Sequence, residues 1–246
     1  MSDYIYGKNP IFEALKSNRK IESLYLQENI KSKSIEKIIH LAQQQNIQIN
    51  RITRTAMVKL VRHNHHQGIV AQVADYDYWT LEALLTRAFN NGKEPILAIL
   101  DSIQDPHNLG AIIRSADGAG LDGIIIPKYN AVGVNPTVIK SAAGATAHIK
   151  IARVTNLAKA MDSLKQAGFW IAGTTADGDK SFFDLDYTGP LAIVLGSEGK
   201  GMRRLVQEKC DYLLQIPMFG KVNSLNVSVS AALLFFQARF QRETDV

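Results

Sequence analysis

The chain has little cysteine, few tryptophans and no long apolar run. One cysteine, Cys210, occurs in 246 residues. No intrachain disulfide can form, and a reducing compartment is expected. No stretch approaches the roughly 20 apolar residues of a membrane helix. The opening Met1-Ser2-Asp3-Tyr4 lacks the charged-then-apolar pattern of a secretory leader. These features lead us to expect a cytoplasmic protein with no membrane partner. No metal site is expected either. His63-Asn64-His65-His66 is histidine-rich, but no second cluster of cysteine, histidine or carboxylate supplies the remaining ligands. That segment reads as a solvated loop. No internal repeat or low-complexity tract is present.

Hydrophobic residues make up 46% and charged residues 21%, the balance of a globular protein. The length suits one large domain or two modest ones. Net charge is +5, and it is unevenly placed. Residues 1–78 hold 11 Lys+Arg and 7 Asp+Glu, a net of +4; the remainder holds 17 and 16, a net of +1. An anionic partner such as RNA would find its sequence-independent contacts in the front part. An ordinary solvated basic surface accounts for +4 equally well.

In the front part, helical apolar spacing at Pro10–Ser17, Ser34–Gln45 and Thr55–Arg62 alternates with strands at Ile21–Leu26, Ile47–Ile52 and Gly68–Val73, the last ending at Asp75. This predicts a small α/β domain over 1–75. Residues 76–93 read as a linker, with Trp79, Leu81, Leu84 and Leu85 hinting at one short helix and Asn90-Asn91-Gly92-Lys93 as a turn. A second domain fills 94–246. Its continuous apolar runs are Ile96–Asp101, Gly123–Ile126, Trp170–Thr174, Leu191–Leu195 and Tyr212–Ile216. Such runs suit strands buried on both faces of a mostly parallel sheet. Helices are expected near 109–119, 136–144, 157–166, 202–208 and 225–240, with Ser224 as the N-cap of the last. In such sheets ligands sit at the carboxyl ends of the strands.

Three loops at that edge carry polar side chains and glycine where a strand gives way to a helix: Asn108–Arg114, Leu195–Gly201 and Ile216–Val229. The dinucleotide fingerprint is absent, because Asp101-Ser102-Ile103-Gln104-Asp105 follows the first strand and no glycine comes before Gly110. The three loops, in this order, resemble the three signature motifs of the SpoU family of RNA ribose 2′-O-methyltransferases. Ile5-Tyr6-Gly7 through Glu13-Ala14-Leu15, and His66-Gln67-Gly68, fit the same pattern, so the resemblance covers nearly the whole chain.

The resemblance implies more than spacing can show. It implies a ribosomal-protein-like RNA-binding domain in front and a C-terminal trefoil knot that holds S-adenosylmethionine. Gly196, Ile216, Met218, Leu225 and Thr174 would line the cofactor pocket. Gly196 would admit close backbone approach, and Ile216, Met218 and Leu225 would meet adenine through main-chain and apolar contact. Arg114 would anchor phosphate and stabilise the developing alkoxide, or, as a second choice, remove the proton. Asn108 and Glu198 would orient Arg114 and the ribose, and Ser224 and Asn226 would position the acceptor. The implied partners are large-subunit ribosomal RNA, methylated at a guanosine ribose, and a second copy of the chain docked through the C-terminal domain. A tRNA or resistance-type rRNA ribose methyltransferase of the same family, and a non-catalytic RNA-binding relative, remain open.

Overall fold

The computed structural model describes residues 3–16, 21–30, 32–61, 65–74 and 76–244. The expected element ends at Ser17, Arg62 and Asp75, and His63 and Asn64 of the histidine-rich segment, lie outside the described residues. The chain divides into two compact units, Met1–Asp77 and Tyr78–Val246.

The first unit contains β1 (Asp3–Tyr6), α1 (Lys8–Lys16), β2 (Ile21–Gln27), α2 (Lys33–Gln44), β3 (Gln48–Ile52), α3 (Arg54–Val61) and β4 (Ile69–Val73). The strand order is β1-β4-β2-β3. β4 runs antiparallel to β1 and β2, whereas β2 and β3 are parallel. Ile11, Leu15, Ile35, Ile38 and Ala42 from the helices cover Leu24, Leu26, Ile69 and Ala71 of the sheet. β1 has no counterpart in the predicted elements: four residues at the chain start carry too short an alternation to register as a strand. His66 is buried and not in a solvated loop, because its Nδ1 accepts the Gly68 N–H at 3.1 Å and ties off the turn before β4.

The second unit contains α4 (Leu81–Phe89), β5 (Ile96–Leu100), α5 (Pro106–Gly118), β6 (Gly123–Pro127), α6 (Pro136–Ser141), β7 (Ile151–Val154), α7 (Leu157–Gln166), β8 (Trp170–Thr174), β9 (Lys180–Ser181), β10 (Leu191–Leu195), α8 (Arg204–Gln207), β11 (Tyr212–Gln215) and α9 (Val227–Thr244). Seven strands lie in the order β7-β6-β5-β10-β8-β11-β9, and every pairing is parallel. All five residues of β5, β6 and β10 are buried, as a sheet covered on both faces requires. β7 and β9, at the two edges, were not foreseen. Ile151–Val154 alternates over only four residues, and Lys180-Ser181 has no apolar pattern. Helix starts follow local chemistry. Asp105 caps α5 by accepting from His107 N at 2.6 Å, with Pro106 at the first helical position; Asn135 and Asn156 cap α6 and α7 in the same way.

Two expectations need correction. Residues 78–93 are not a linker. Thr80 caps α4, Trp79 N donates to Ile151 O at 3.0 Å, and Leu84 and Ala88 are fully buried in the same core as Leu97, Ile125 and Met161. The polar exposed face of α4 hides this role in the sequence. The N-cap of α9 is Asn226 and not Ser224. Asn226 Oδ1 accepts the Ser228 N–H at 2.9 Å, and its carbonyl accepts Ser230 N–H.

If α4 is core, Leu84→Ala leaves a cavity and costs about 2–5 kcal/mol in urea unfolding of the second unit. A cost under about 0.5 kcal/mol, as for an exposed surface position, would return the helix to linker status.

Candidate functional site

The three polar stretches come after β5, β10 and β11, so their starts lie at the carboxyl edge of the parallel sheet; Asn108–Arg114, expected as a loop, falls inside α5. β5 and β10 are neighbours, and the chain leaves them in opposite directions along the sheet, β6 and β7 on one side and β8 and β11 on the other. Crevices at such reversals are where open α/β sheets bind ligands.

One side chain from each stretch meets at a single point. Asn108 Nδ2 donates to Glu198 Oε1 at 2.8 Å. Asn226 Nδ2 donates to the same oxygen at 2.6 Å and to Asn108 Oδ1 at 3.1 Å. Asn226 Oδ1 meanwhile accepts from Ser228 N and Ser228 Oγ. Residues separated by 90, 28 and 118 positions are thereby joined. Glu198 Oε2 has no donor among the described residues, which leaves one face of this carboxylate open.

Beside this triad lies a cavity of about 540 Å³. Thr174, Gly196, Ile216, Met218 and Leu225 all line it, together with Glu198, Ser224 and Asn226. Its volume falls within the range of small-molecule sites, about 300–1,000 Å³. The walls mix polar and apolar side chains, and Ile216, Met218 and Leu225 make no main-chain hydrogen bond to another described residue. Their amides and carbonyls are open to a ligand. A smaller cavity of about 250 Å³ is lined by Gln104, Asn108 and Lys200 and shares Ser197, Glu198 and Val227 with the first.

Gly196 is a glycine for a reason other than ligand approach. A Cβ there would meet Gly201 C and Met202 N at 2.2 Å. The loop returns across the end of β10, with Ser197 and Gly201 exchanging backbone hydrogen bonds of 3.0 and 2.8 Å. Its far end is pinned by Asp101, a residue the sequence reading passed over. This carboxylate is fully buried, and it accepts from Arg203 N at 2.7 Å, Arg203 Nε at 2.7 Å and Ser102 Oγ at 3.0 Å. An aspartate ending an otherwise apolar buried strand was the signal available.

Arg114 stands apart. It is exposed on α5 and lines neither cavity. Six residues beyond Asn108 it lies about 9 Å along the helix axis and on another face. Among the described residues it makes no hydrogen bond or ion pair, so Asn108 and Glu198 do not hold it as expected.

Asp177, just beyond the cavity wall at Thr174–Ala176, and Cys210, packed on the core, are shifted. The Thr175 hydroxyl, 2.5 Å from Asp177, holds that carboxyl below its usual range. Burial pushes the Cys210 thiol up to about 12, which leaves no thiolate nucleophile at neutral pH. No group of three His, Cys, Asp or Glu suited to a metal occurs among the described residues.

Comparison with known proteins agrees with this geometry. Residues 95–236 match the model of the SpoU rRNA Methylase family, and residues 4–79 match that of the RNA 2′-O ribose methyltransferase substrate-binding domain. YacO of Bacillus subtilis, whose name places it in the TrmH family of tRNA/rRNA methyltransferases, is 47% identical over 98% of this chain and 96% of its own. The SpoU methyltransferase AviRb of Streptomyces viridochromogenes, solved with AdoMet, is 25% identical and aligns with a TM-score of 0.67 over 99% of this chain and 91% of its own. A TrmH/SpoU tRNA modifying enzyme of A. aeolicus is 28% identical, with a TM-score of 0.57 over 67% of this chain and 85% of its own.

Proposed function

The chain belongs to the SpoU methylase family, and from that premise we propose that it transfers a methyl group from S-adenosylmethionine to a ribose 2′-hydroxyl of RNA. The observation that carries this is the Asn108–Glu198–Asn226 triad at the wall shared by the two cavities. The large cavity takes the cofactor, with adenine against the open main chain of Ile216, Met218 and Leu225. Thr174 and Gly196 complete its walls, and the knot implied by the resemblance lies among these segments. The bound cofactor supplies an electrophilic sulfonium methyl.

The small cavity takes the acceptor nucleotide, since its wall at Glu198 and Val227 is also the wall of the cofactor site. A ribose hydroxyl is a weak nucleophile, so placement and charge stabilisation must supply much of the rate. Asn108 and Asn226 fix Glu198 so that Oε2 faces the hydroxyl and accepts its hydrogen bond. With the cofactor bound, the hydroxyl oxygen would take the methyl group, leaving the cofactor as a neutral thioether, and the hydroxyl proton would pass by way of Glu198 Oε2 to water. Ser224 borders the large cavity and from there would help position the acceptor. Arg114, exposed and without a hydrogen-bond or ion-pair partner among the described residues, anchors RNA phosphate; a guanidinium with pKa above about 12 is a poor base. The expected substrate is a guanosine of large-subunit ribosomal RNA, with the first unit selecting the RNA. The relatives' names cover tRNA as well, and methylating both RNA classes in parallel decides between them.

Calorimetry should show S-adenosylmethionine binding that a chelator does not abolish. Arg114→Ala should slow single-turnover methylation by about 10²–10³ with cofactor affinity nearly unchanged, and Arg114→Lys should recover little of it. Normal turnover in Arg114→Ala would remove Arg114 from the site.

A second copy of the chain is the proposed partner of α9. Val229, Leu233, Phe236 and Phe240 recur on one face and are exposed at 47%, 39%, 51% and 65%. With Phe182 and Phe183 the last three line an apolar groove of about 410 Å³. An apolar helix face in water calls for cover, and a self-complementary pair supplies it. Phe236→Glu combined with Phe240→Glu should yield monomers in sedimentation at micromolar concentration. A wild-type chain that is already monomeric there contradicts the pairing.

A further inference from the structure

Net charge in the second unit is close to balanced, yet four of its cations gather on one side. Lys128 Nζ lies 5.7 Å from the Tyr129 ring centre, and Arg153 lies 4.9 Å from that of Tyr78. Lys150 and Arg87 lie 5.7 and 5.9 Å from that of Trp79. Arg153 Nη2 also donates to Lys128 O at 3.2 Å, so the Lys128 and Arg153 pairs adjoin. None of the four is in an ion pair with a described carboxylate. Grouping unpaired cations is electrostatically unfavourable unless an anion is to meet them.

Arg153 sits on an edge strand, and charges there commonly guard against edge-to-edge pairing. That explanation is weak for β7. Its outer edge is already paired with Trp79, which donates to Ile151 O at 3.0 Å and bridges to Ala152. Guarding would not require the 61% exposed ring of Tyr129 either.

The strip's place is informative. Lys128 and Tyr129 follow the carboxyl end of β6, and Arg153 is one residue from that of β7. The same loop is bound to the one that leads into α5, through Val132 N to Ile103 O at 2.8 Å. Lys128, Tyr129 and Arg153 therefore share the sheet edge that carries Asn108, and Lys150, at the amino end of β7, and Arg87 continue the strip away from that edge.

We infer that Lys128, Tyr129 and Arg153, backed by Lys150 and Arg87 at Trp79, form a sequence-independent RNA track on the methyltransferase unit itself. Cations neutralise phosphates along the strand, and an exposed ring takes a base by stacking. This rests on the RNA reading above and adds a contact surface outside the first unit. The strip holds RNA that flanks the acceptor; it does not read the acceptor nucleotide.

The test uses the full chain and a labelled single-stranded RNA of mixed sequence, titrated across a range of salt. Lys128→Ala with Arg153→Ala should weaken binding about tenfold and lower the salt slope by about 1.4, since each lost phosphate contact on a single strand is worth about 0.7. Tyr129→Ala should weaken binding by a similar factor with the slope unchanged. Lys128→Arg with Arg153→Lys should bind as wild type, and calorimetry with S-adenosylmethionine shows that each variant is folded. Unchanged affinity and slope in the double alanine variant, with wild type binding the RNA, overturns the track alone. A wild type that does not bind this RNA overturns both the track and the RNA reading it rests on.

Discussion

One amide side chain ties the site together. Asn226 uses its oxygen to cap α9 and its nitrogen to hold Asn108 and Glu198. Only an amide supplies both an acceptor and donors at that reach. An aspartate would cap the helix equally well but would set a second negative charge against Glu198. A serine would cap but offer no second donor. The start of the last helix, the loop after β10 and the start of α5 therefore depend on one residue for their mutual position. The Asp101–Arg203 clasp fixes the far end of the middle loop. Just before both fixed points, Gly196 leaves room for the backbone of Gly201 and Met202 to return across the end of β10.

This arrangement suits a reaction that gains most from placement. The two cavities share Ser197, Glu198 and Val227. A donor in one and an acceptor in the other would therefore meet across a wall held at both ends. Arg114 lies outside that lock: among the described residues it bonds neither Asn108 nor Glu198, contrary to expectation.

The buried strands were legible because a doubly covered parallel strand writes itself as an unbroken apolar run, as in Ile96–Leu100 and Leu191–Leu195. The edge strands were not, since four residues or two carry too little pattern. α4 was read as part of a linker because only Leu84 and Ala88 of its nine residues are fully buried, and they do not form a long apolar stripe. The motif residues were named through family resemblance; eight of the ten line the large cavity, Asn108 lines the small one and Arg114 lines neither. Their bonding was not legible: nothing in the spacing says that Asn226 rather than Ser224 caps α9, or that Asp101 reaches Arg203 across 102 positions. Such contacts depend on how the strands are ordered in the sheet, which local pattern does not encode.

The central claim is that Asn108 and Glu198 act as one unit in holding the cofactor loops. A double-mutant cycle tests this most directly, with Asn108→Ala, Glu198→Ala and the pair compared by S-adenosylmethionine affinity in calorimetry. The account predicts a coupling of about 1 kcal/mol or more, so that the second substitution costs little once the first is made. Additive losses, with coupling within about 0.3 kcal/mol of zero, would show that the hydrogen bonds between the loops do not shape the site.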